Sequence, residues 1–433
     1  MPYRGRDCRR DRPPDMRVIT DFHLHSRFSR ACSKDLTIRN IAKACERKGI
    51  QFVGTADFTH PGWRKEIEEN LEEKNEGAFA LKDGSSPTCF LLSTELSCIY
   101  KRGGKTRRVH HVITMPSLAA VDRLIEALTK RGCNLKSDGR PITGIDSEEL
   151  LKMVMEADEK ALLIPAHAWT PWFAVFGSQS GFDSLEECFG DSSKYIYAIE
   201  TGLSSDPKMN WRWSKLDHLF LVSNSDAHSL DKLGREANVF EMKEPSYDEF
   251  RRILVEHDTK KFIETLEFFP EEGKYHVDGH RACKFWCEPK ETKKLKGICP
   301  KCGKPLTVGV LSRVNDLADR TQSVERPASA VPFRSIVPLA EVVAEAMGVG
   351  PSSKKVKAEM ERLVKDGRTE FGVLLDEPIE ALQSYTQPDI AEAIKRMRGG
   401  QVTIRPGYDG EFGVVSLMGD KAEQLKKQQA KLF

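Results

Sequence analysis

The chain reads as an α/β protein in three parts: a strand–helix repeat over residues 18–270, a four-cysteine zinc ribbon over 271–325 and a mostly helical C-terminal domain over 326–433. A basic, Pro-containing tail, 1–17, precedes them. Three observations predict this. Seven short apolar runs, rich in β-branched or aromatic residues, alternate with amphipathic stretches in the first part. Cys283, Cys287, Cys299 and Cys302 cluster in Lys-rich sequence. From Pro338 onward, apolar residues recur at helical spacing.

The seven runs are 18–22, 51–56, 90–94, 109–115, 161–166, 195–199 and 219–223; between them, 34–48, 119–131, 147–157 and 246–257 read as helices, with Ser147 a candidate N-cap. Connections this short imply a parallel sheet, open or closed into a barrel. Residues 326–336 read as a linker. Helices follow at 339–347, 352–365, 378–382 and 389–397, then β elements at 401–405 and 412–417 around a Gly-rich turn.

Length and composition bound the function. A chain of 433 residues allows two or three domains, and 39% hydrophobic with 30% charged residues fits a folded soluble protein. No apolar run approaches the roughly 18–20 residues of a membrane span, and the N-terminus has no apolar signal region. Net charge is only +2, so any nucleic-acid contact must come from local basic patches. The scattered, odd-numbered remaining cysteines argue against a secreted disulfide framework and for a reducing cytoplasm.

Six of the seven runs carry metal-type ligands at or near their C-terminal ends, the face where β/α folds place their sites. His23 and His25 are two apart on an extended segment, so both imidazoles share a face. Asp226 and His228 repeat that spacing, His167 ends the fifth run, and Glu95 is the natural bridge between two ions. His110 sits near the start of its run, where alternation sends it and His111 to opposite faces; His110 is preferred. Two ions about 3.5–4 Å apart clamp a phosphate and acidify a water, which is phosphoester hydrolysis. Arg102-Gly103-Gly104-Lys105 lacks the rest of a phosphate loop and reads as a turn.

In the ribbon, Cys283-x3-Cys287-x11-Cys299-x2-Cys302 predicts one structural zinc, with Pro300 and Gly303 shaping a knuckle; with all four cysteines present, His280 is not needed. Eight cations against two acids over 281–304, Lys284, Lys293 and Lys294 among them, point to nucleic-acid phosphates. Trp169 and Trp172, in the loop after His167, are exposed-aromatic candidates for stacking on a base.

Residues 18–265 resemble the PHP (polymerase and histidinol phosphatase) superfamily. Nearly the whole chain after residue 17 is similar to one of its DNA repair branches, the endonuclease Q family. The second resemblance rests on Asp21–Ala31, Gly54–Pro61, Ala166–Phe173, Glu200–Asp206, Ser225–Ser229, Gly234–Glu236 and the four-cysteine ribbon, in this order. It implies a distorted seven-stranded β/α barrel holding two or three divalent ions, zinc, manganese or magnesium. His23, His25, Glu95 and Asp226 match one metal position and form the catalytic centre. Glu95, His110 and His167 match a second, and His228 a third. The family's Thr-Asp-His after the second strand is here Ala56-Asp57-Phe58, which leaves Asp57, with His60 as runner-up, as the substitute third-site ligand. The implied activity is metal-dependent hydrolysis of DNA 5′ to deaminated bases (hypoxanthine, uracil, xanthine) and abasic sites, leaving 3′-OH and 5′-phosphate ends. The implied partners are double- and single-stranded DNA carrying damaged bases, with a sliding clamp a further candidate and no membrane. Arg27, Arg30 and Arg235 are candidate phosphate clamps. Two other functions share parts of the signal: a small-molecule phosphomonoesterase, which needs neither ribbon nor C-terminal domain, and a non-catalytic DNA-binding accessory module.

Overall fold

The computed structural model describes residues 15–419. All seven expected runs are strands: β1 (Met16–Asp21), β2 (Phe52–Gly54), β3 (Cys89–Arg102), β4 (Lys105–Met115), β5 (Leu162–Pro165), β6 (Ala198–Glu200) and β7 (Phe220–Val222). Met16 and Arg17 already pair in β1, so the tail ends sooner than expected; its first 14 residues lie outside the described ones.

β1 runs parallel to β2, and β2 parallel to β3. The all-parallel expectation fails at β4. β3 and β4 form one long antiparallel hairpin that turns at Gly103-Gly104. Both glycines are left-handed, at φ 61° and 73°, which is what a two-residue hairpin loop requires. β4 then pairs antiparallel with β5, while β6 and β7 form a separate parallel pair. Between these sets lie only isolated links: the Ala168 N–H donates to the Glu200 carbonyl at 2.9 Å, and Leu24 bridges Ala227. The architecture is therefore mixed α/β around a central mixed sheet, and no unbroken ladder closes a seven-stranded barrel among the described residues.

Two further strands extend the sheet beyond β1. β8 (Ala237–Met242) pairs antiparallel with β1, and β9 (Phe262–Glu267) antiparallel with β8. The helices follow the hydrophobic pattern, and side-chain caps fix their starts. Ile38–Lys48 is capped by Thr37, Leu118–Lys130 by Ser117 and Tyr247–Val255 by Ser246. Ser147–Ala157 is capped by Asp146 rather than Ser147: the Asp146 carboxylate accepts the Glu148 N–H at 2.9 Å. That frees the Ser147 hydroxyl for Tyr100 and His111.

The ribbon contributes β10 (Asp278–His280) and β11 (Phe285–Cys287), paired antiparallel. Part of the expected linker is a strand, β12 (Phe333–Ser335), which pairs parallel with β9. The C-terminal helices are Leu339–Met347, Lys354–Leu363, Ile379–Tyr385 and Pro388–Arg398, followed by the hairpin β13 (Thr403–Arg405) and β14 (Val414–Ser416). This region is tied to the sheet domain through Lys48–Glu370 (3.2 Å) and Lys232–Glu341 (3.0 Å). It is tied to the ribbon through Asp409, which accepts from the Arg281 N–H and the Thr307 hydroxyl, both at 2.6 Å. No helix among the described residues is long and apolar enough to cross a membrane.

Glu267 ends β9 wholly buried, among the hydroxyls of Thr201, Ser223 and Thr265, with no ion pair in the described residues. Burial pushes its carboxyl up to about 8. The folded chain therefore holds a proton that the unfolded chain releases above its ordinary value of 4.5. Its contribution to stability falls as pH rises from about 4.5 to about 8. In thermal melts from pH 5 to 8, Glu267→Gln should flatten the decline of Tm seen in the wild type; parallel curves would contradict this.

Candidate metal centre

Two groups of ligand atoms face each other around Glu95, which sits midway along β3 and is fully buried. The first is His23, His25, Glu95 and Asp226, and the second is Glu95, His110 and His167; within each group the ligand atoms lie within 4.8 Å of one another. Glu95 Oε2 is 3.4 Å from His23 Nε2 and 3.3 Å from His25 Nε2, and Asp226 Oδ1 is 3.0 Å from His25 Nε2. Glu95 Oε1 is 2.7 Å from His110 Nδ1 and 3.3 Å from His167 Nε2. Ligands about 2.1 Å from one cation stand about 3.0–3.4 Å from each other, so the spacing fits an ion in each group. The buried His23 Nε2 has no hydrogen-bond partner among the described residues, which fits an atom that would ligate a cation.

β4 begins at Lys105, four residues before the expected run, so His110 sits mid-strand; the antiparallel pairing sets it opposite Ser97, two residues along β3 from Glu95. Alternation turns His111 away; it is buried, its Nε2 bonded to the Ser147 hydroxyl at 2.8 Å. Burial takes His110 down to about 4, against the pull of Glu95. Burial alone would raise Glu95, but His110, Arg140 and His23 outweigh it and hold the carboxylate ionised, well below its ordinary range.

A second layer orients the imidazoles. His23 Nδ1 faces Glu200 at 2.9 Å, and the same carboxylate accepts the His167 N–H at 2.8 Å. His25 Nδ1 faces Asp57 at 3.4 Å. Carboxylates placed this way fix which ring nitrogen points inward. His167, Asp226 and Asp57 all take left-handed φ values, 30°, 47° and 39°. Such conformations cost about 1–3 kcal/mol each and concentrate at functional sites. Gly202 makes room for one of them, since a Cβ there would collide with His167.

Other expected residues are placed differently. Asp57 belongs to neither group: its Oδ2 accepts from the Ser26 N–H (2.7 Å) and the Ser26 and Ser29 hydroxyls (2.6 and 2.8 Å), and its Oδ1 faces His25 Nδ1. His60 stacks on Phe28 with ring centroids 4.3 Å apart. His228 lies beside His25 and Asp226 but completes no third group among the described residues. Arg235 donates to the backbone carbonyls of Ser225 (2.7 Å) and Asp226 (3.1 Å), so it shapes the ligand loop instead of facing phosphate. Arg27 pairs with Glu66 at 2.7 Å, whereas Arg30 is exposed beside Asp138. Trp169 is fully buried, its Nε1–H donating to Asn210 at 2.7 Å, so it is core and not a stacking platform. Trp172 is 40% exposed, edge-on to Tyr275. Sequence reading missed Arg140, whose Nη1 reaches Glu95 Oε2 at 3.0 Å. No spacing signal marks it; only the loop's path does.

The ribbon also departs from expectation. The converging set is His280, Cys283, Cys299 and Cys302, with His280 Nδ1 3.3 Å from Cys302 Sγ. Cys287 is buried in the ribbon's small core and faces the Thr292 hydroxyl at 3.2 Å. His280-x2-Cys283 and Cys299-x2-Cys302 are two like-spaced knuckles, whereas Cys287 follows on β11. Lys284, Lys293 and Lys294 are exposed; Lys293 lies 3.5 Å from Asp316 and Lys294 3.3 Å from Glu291.

Metal analysis of purified variants should separate these assignments. His280→Ala should lose one zinc per chain and Cys287→Ser should keep it; the reverse pattern would restore the four-cysteine set. Glu95→Gln should deplete both ligand groups of metal, and His111→Ala neither.

Similarity to known proteins spans most of the chain. The model of the MJ0043 C-terminal domain family matches residues 338–401. An uncharacterized protein of Methanocaldococcus jannaschii, MJ0043, is 33% identical over 269 residues; the match spans 60% of this chain but only 33% of that protein. The uncharacterized protein YqxK of Bacillus subtilis is 31% identical over 415 residues, covering 92% of this chain and 99% of YqxK. The crystal structure of the lesion-specific endonuclease PfuEndoQ from Pyrococcus furiosus superposes with a TM-score of 0.83 at 33% identity, covering 95% of this chain and 99% of that one. An endonuclease Q in complex with a 27-mer duplex, with an abasic lesion at the active site, gives 0.81 at 33% identity over 94% and 98%. On end-to-end similarity at this level, the chain belongs to the endonuclease Q family of nucleases.

Proposed function

We propose that the protein is a metal-dependent DNA repair endonuclease that hydrolyses the phosphodiester 5′ to deaminated bases (hypoxanthine, uracil, xanthine) and abasic sites, leaving 3′-OH and 5′-phosphate ends. The observation that carries this reading is Glu95, one carboxylate shared between two ligand groups at the mixed sheet's functional end. Family membership and the abasic duplex held by a relative support the substrate class.

His23, His25, Glu95 and Asp226 would hold one divalent cation, and Glu95, His110 and His167 a second. Bound there, the pair supplies a clamp for a phosphodiester and an acidified water. The chain's own residues do the rest. Glu200 keeps the His23 Nδ1–H outward and its Nε2 inward, and Asp57 does the same for His25. Asn224 braces Glu200 through a 3.0 Å hydrogen bond. The Phe173 ring lies beside His110 with centroids 4.7 Å apart, and its chain neighbour Trp172, 40% exposed, would form the rim on that side. An abasic or deaminated nucleotide pairs poorly, so bringing it out to that rim costs less than for an intact pair. Arg30 and the ribbon lysines face solvent, where duplex phosphates would pass. No observation supports a sliding clamp as partner.

End-labelled duplexes containing inosine, uracil, an abasic site or no damage, incubated with Mn²⁺, Mg²⁺ or Zn²⁺, test the proposal. A nick 5′ to each lesion with 3′-OH ends, and no cutting of the undamaged duplex, is expected. Hydrolysis of a small chromogenic phosphomonoester without lesion-dependent nicking would overturn it.

A further inference from the structure

Four arginines are carried by the segments around the centre; two are engaged and one points outward. Arg27 pairs with Glu66, Arg30 lies outward beside Asp138 with its side chain 83% exposed, and Arg235 holds the carbonyls of Ser225 and Asp226. The fourth, Arg140, directs Nη1 at Glu95 Oε2, the oxygen that also faces His23 and His25. Its side chain is 28% exposed while Glu95 is wholly buried, so the guanidinium spans the distance from the ligand groups to solvent. That is the one side-chain hydrogen bond its five guanidinium N–H donors make among the described residues, with the Asp226 and Asp138 carboxylates also near enough to act on its charge.

The loop that carries it is fixed. The Gly139 N–H donates to the Phe28 carbonyl at 3.2 Å, and the Ser97 N–H on β3 donates to the Pro141 carbonyl at 3.2 Å. The Asp138 carboxylate accepts the Arg140 N–H at 3.1 Å and the Arg30 N–H at 3.3 Å. Gly139 lies so close to Asp57 and Ser29 that a Cβ would collide with both. Asp57 thus lies between two parts of the site: it faces His25 and packs against the glycine of the turn that carries Arg140.

We infer that Arg140 binds the scissile phosphate, its free guanidinium edge gripping a non-bridging oxygen while Nη1 stays on Glu95. The inference rests on the proposed phosphodiester chemistry and adds the residue that senses the phosphate. A planar fork matches phosphate in two parallel hydrogen bonds, which a lysine's point charge does not reproduce. A fixed donor of this kind adds most where negative charge grows during attack.

The test compares wild type, Arg140→Ala and Arg140→Lys in three measurements: bound metal, the affinity of the metal-loaded protein for inorganic phosphate, and kcat and KM on an abasic duplex. Both variants should keep wild-type metal content. Arg140→Ala should bind phosphate more weakly and lose about 10²–10³-fold in kcat, the usual cost of one such donor, and Arg140→Lys should recover only part of each. Unchanged phosphate affinity in Arg140→Ala would overturn the inference, as would loss of metal, which would make Arg140 a structural partner of Glu95. If the wild type cuts no lesion DNA but Arg140→Ala still binds phosphate more weakly, the substrate reading fails and the phosphate contact stands.

Discussion

Glu95 is a fully buried carboxylate, and an unpaired charge there would cost many kcal/mol. The surrounding structure meets that cost from both sides: two imidazoles and Arg140 face Oε2, and two further imidazoles face Oε1. Removing this carboxylate would separate the two ligand groups. Its place depends on the long β3–β4 hairpin, which sets Glu95 and His110 on adjacent strands with their side chains converging. The glycine turn at 103–104 is therefore remote from the chemistry and necessary to it, because it sets the register that brings His110 to Glu95.

Around that carboxylate, a second set of buried acids does structural work. Glu200 braces His23 and the His167 backbone, and Asp57 braces His25 and the Arg140 loop. Strained backbone at Asp57, His167 and Asp226 is held in place by these contacts. The Arg235 guanidinium, bonded to the carbonyls of the Asp226 loop, plays the same part from below. Rigid placement of this kind lets a site bind charge without reorganising when charge develops.

Much of this was legible in the sequence because local periodicity carries it. The seven strands, most helix spans and the inward His23/His25 pair follow from alternation and apolar spacing. What failed were properties of chain direction and pairing. An apolar run has the same pattern whether its strand is parallel or antiparallel, so neither the direction of β4 nor its polar start at Lys105, which puts His110 mid-strand, is legible in the sequence. Asp57 matches a ligand by position; only the fold, which brings the Ser26 and Ser29 hydroxyls to its Oδ2 and His25 Nδ1 to its Oδ1, shows it beside the imidazole and outside both ligand groups. In the ribbon, a fourth cysteine outweighed His280 until pairing of β10 with β11 set which side chains converge. Arg140 lies in a loop with no periodicity at all.

The central claim is that two cations share Glu95. Crystals soaked in Mn²⁺ and measured at the manganese absorption edge test it most directly. Two anomalous peaks about 3.5–4 Å apart, one on each side of the Glu95 carboxylate, are the expected result. A single peak away from Glu95, or none with the four imidazoles still in place, would contradict it.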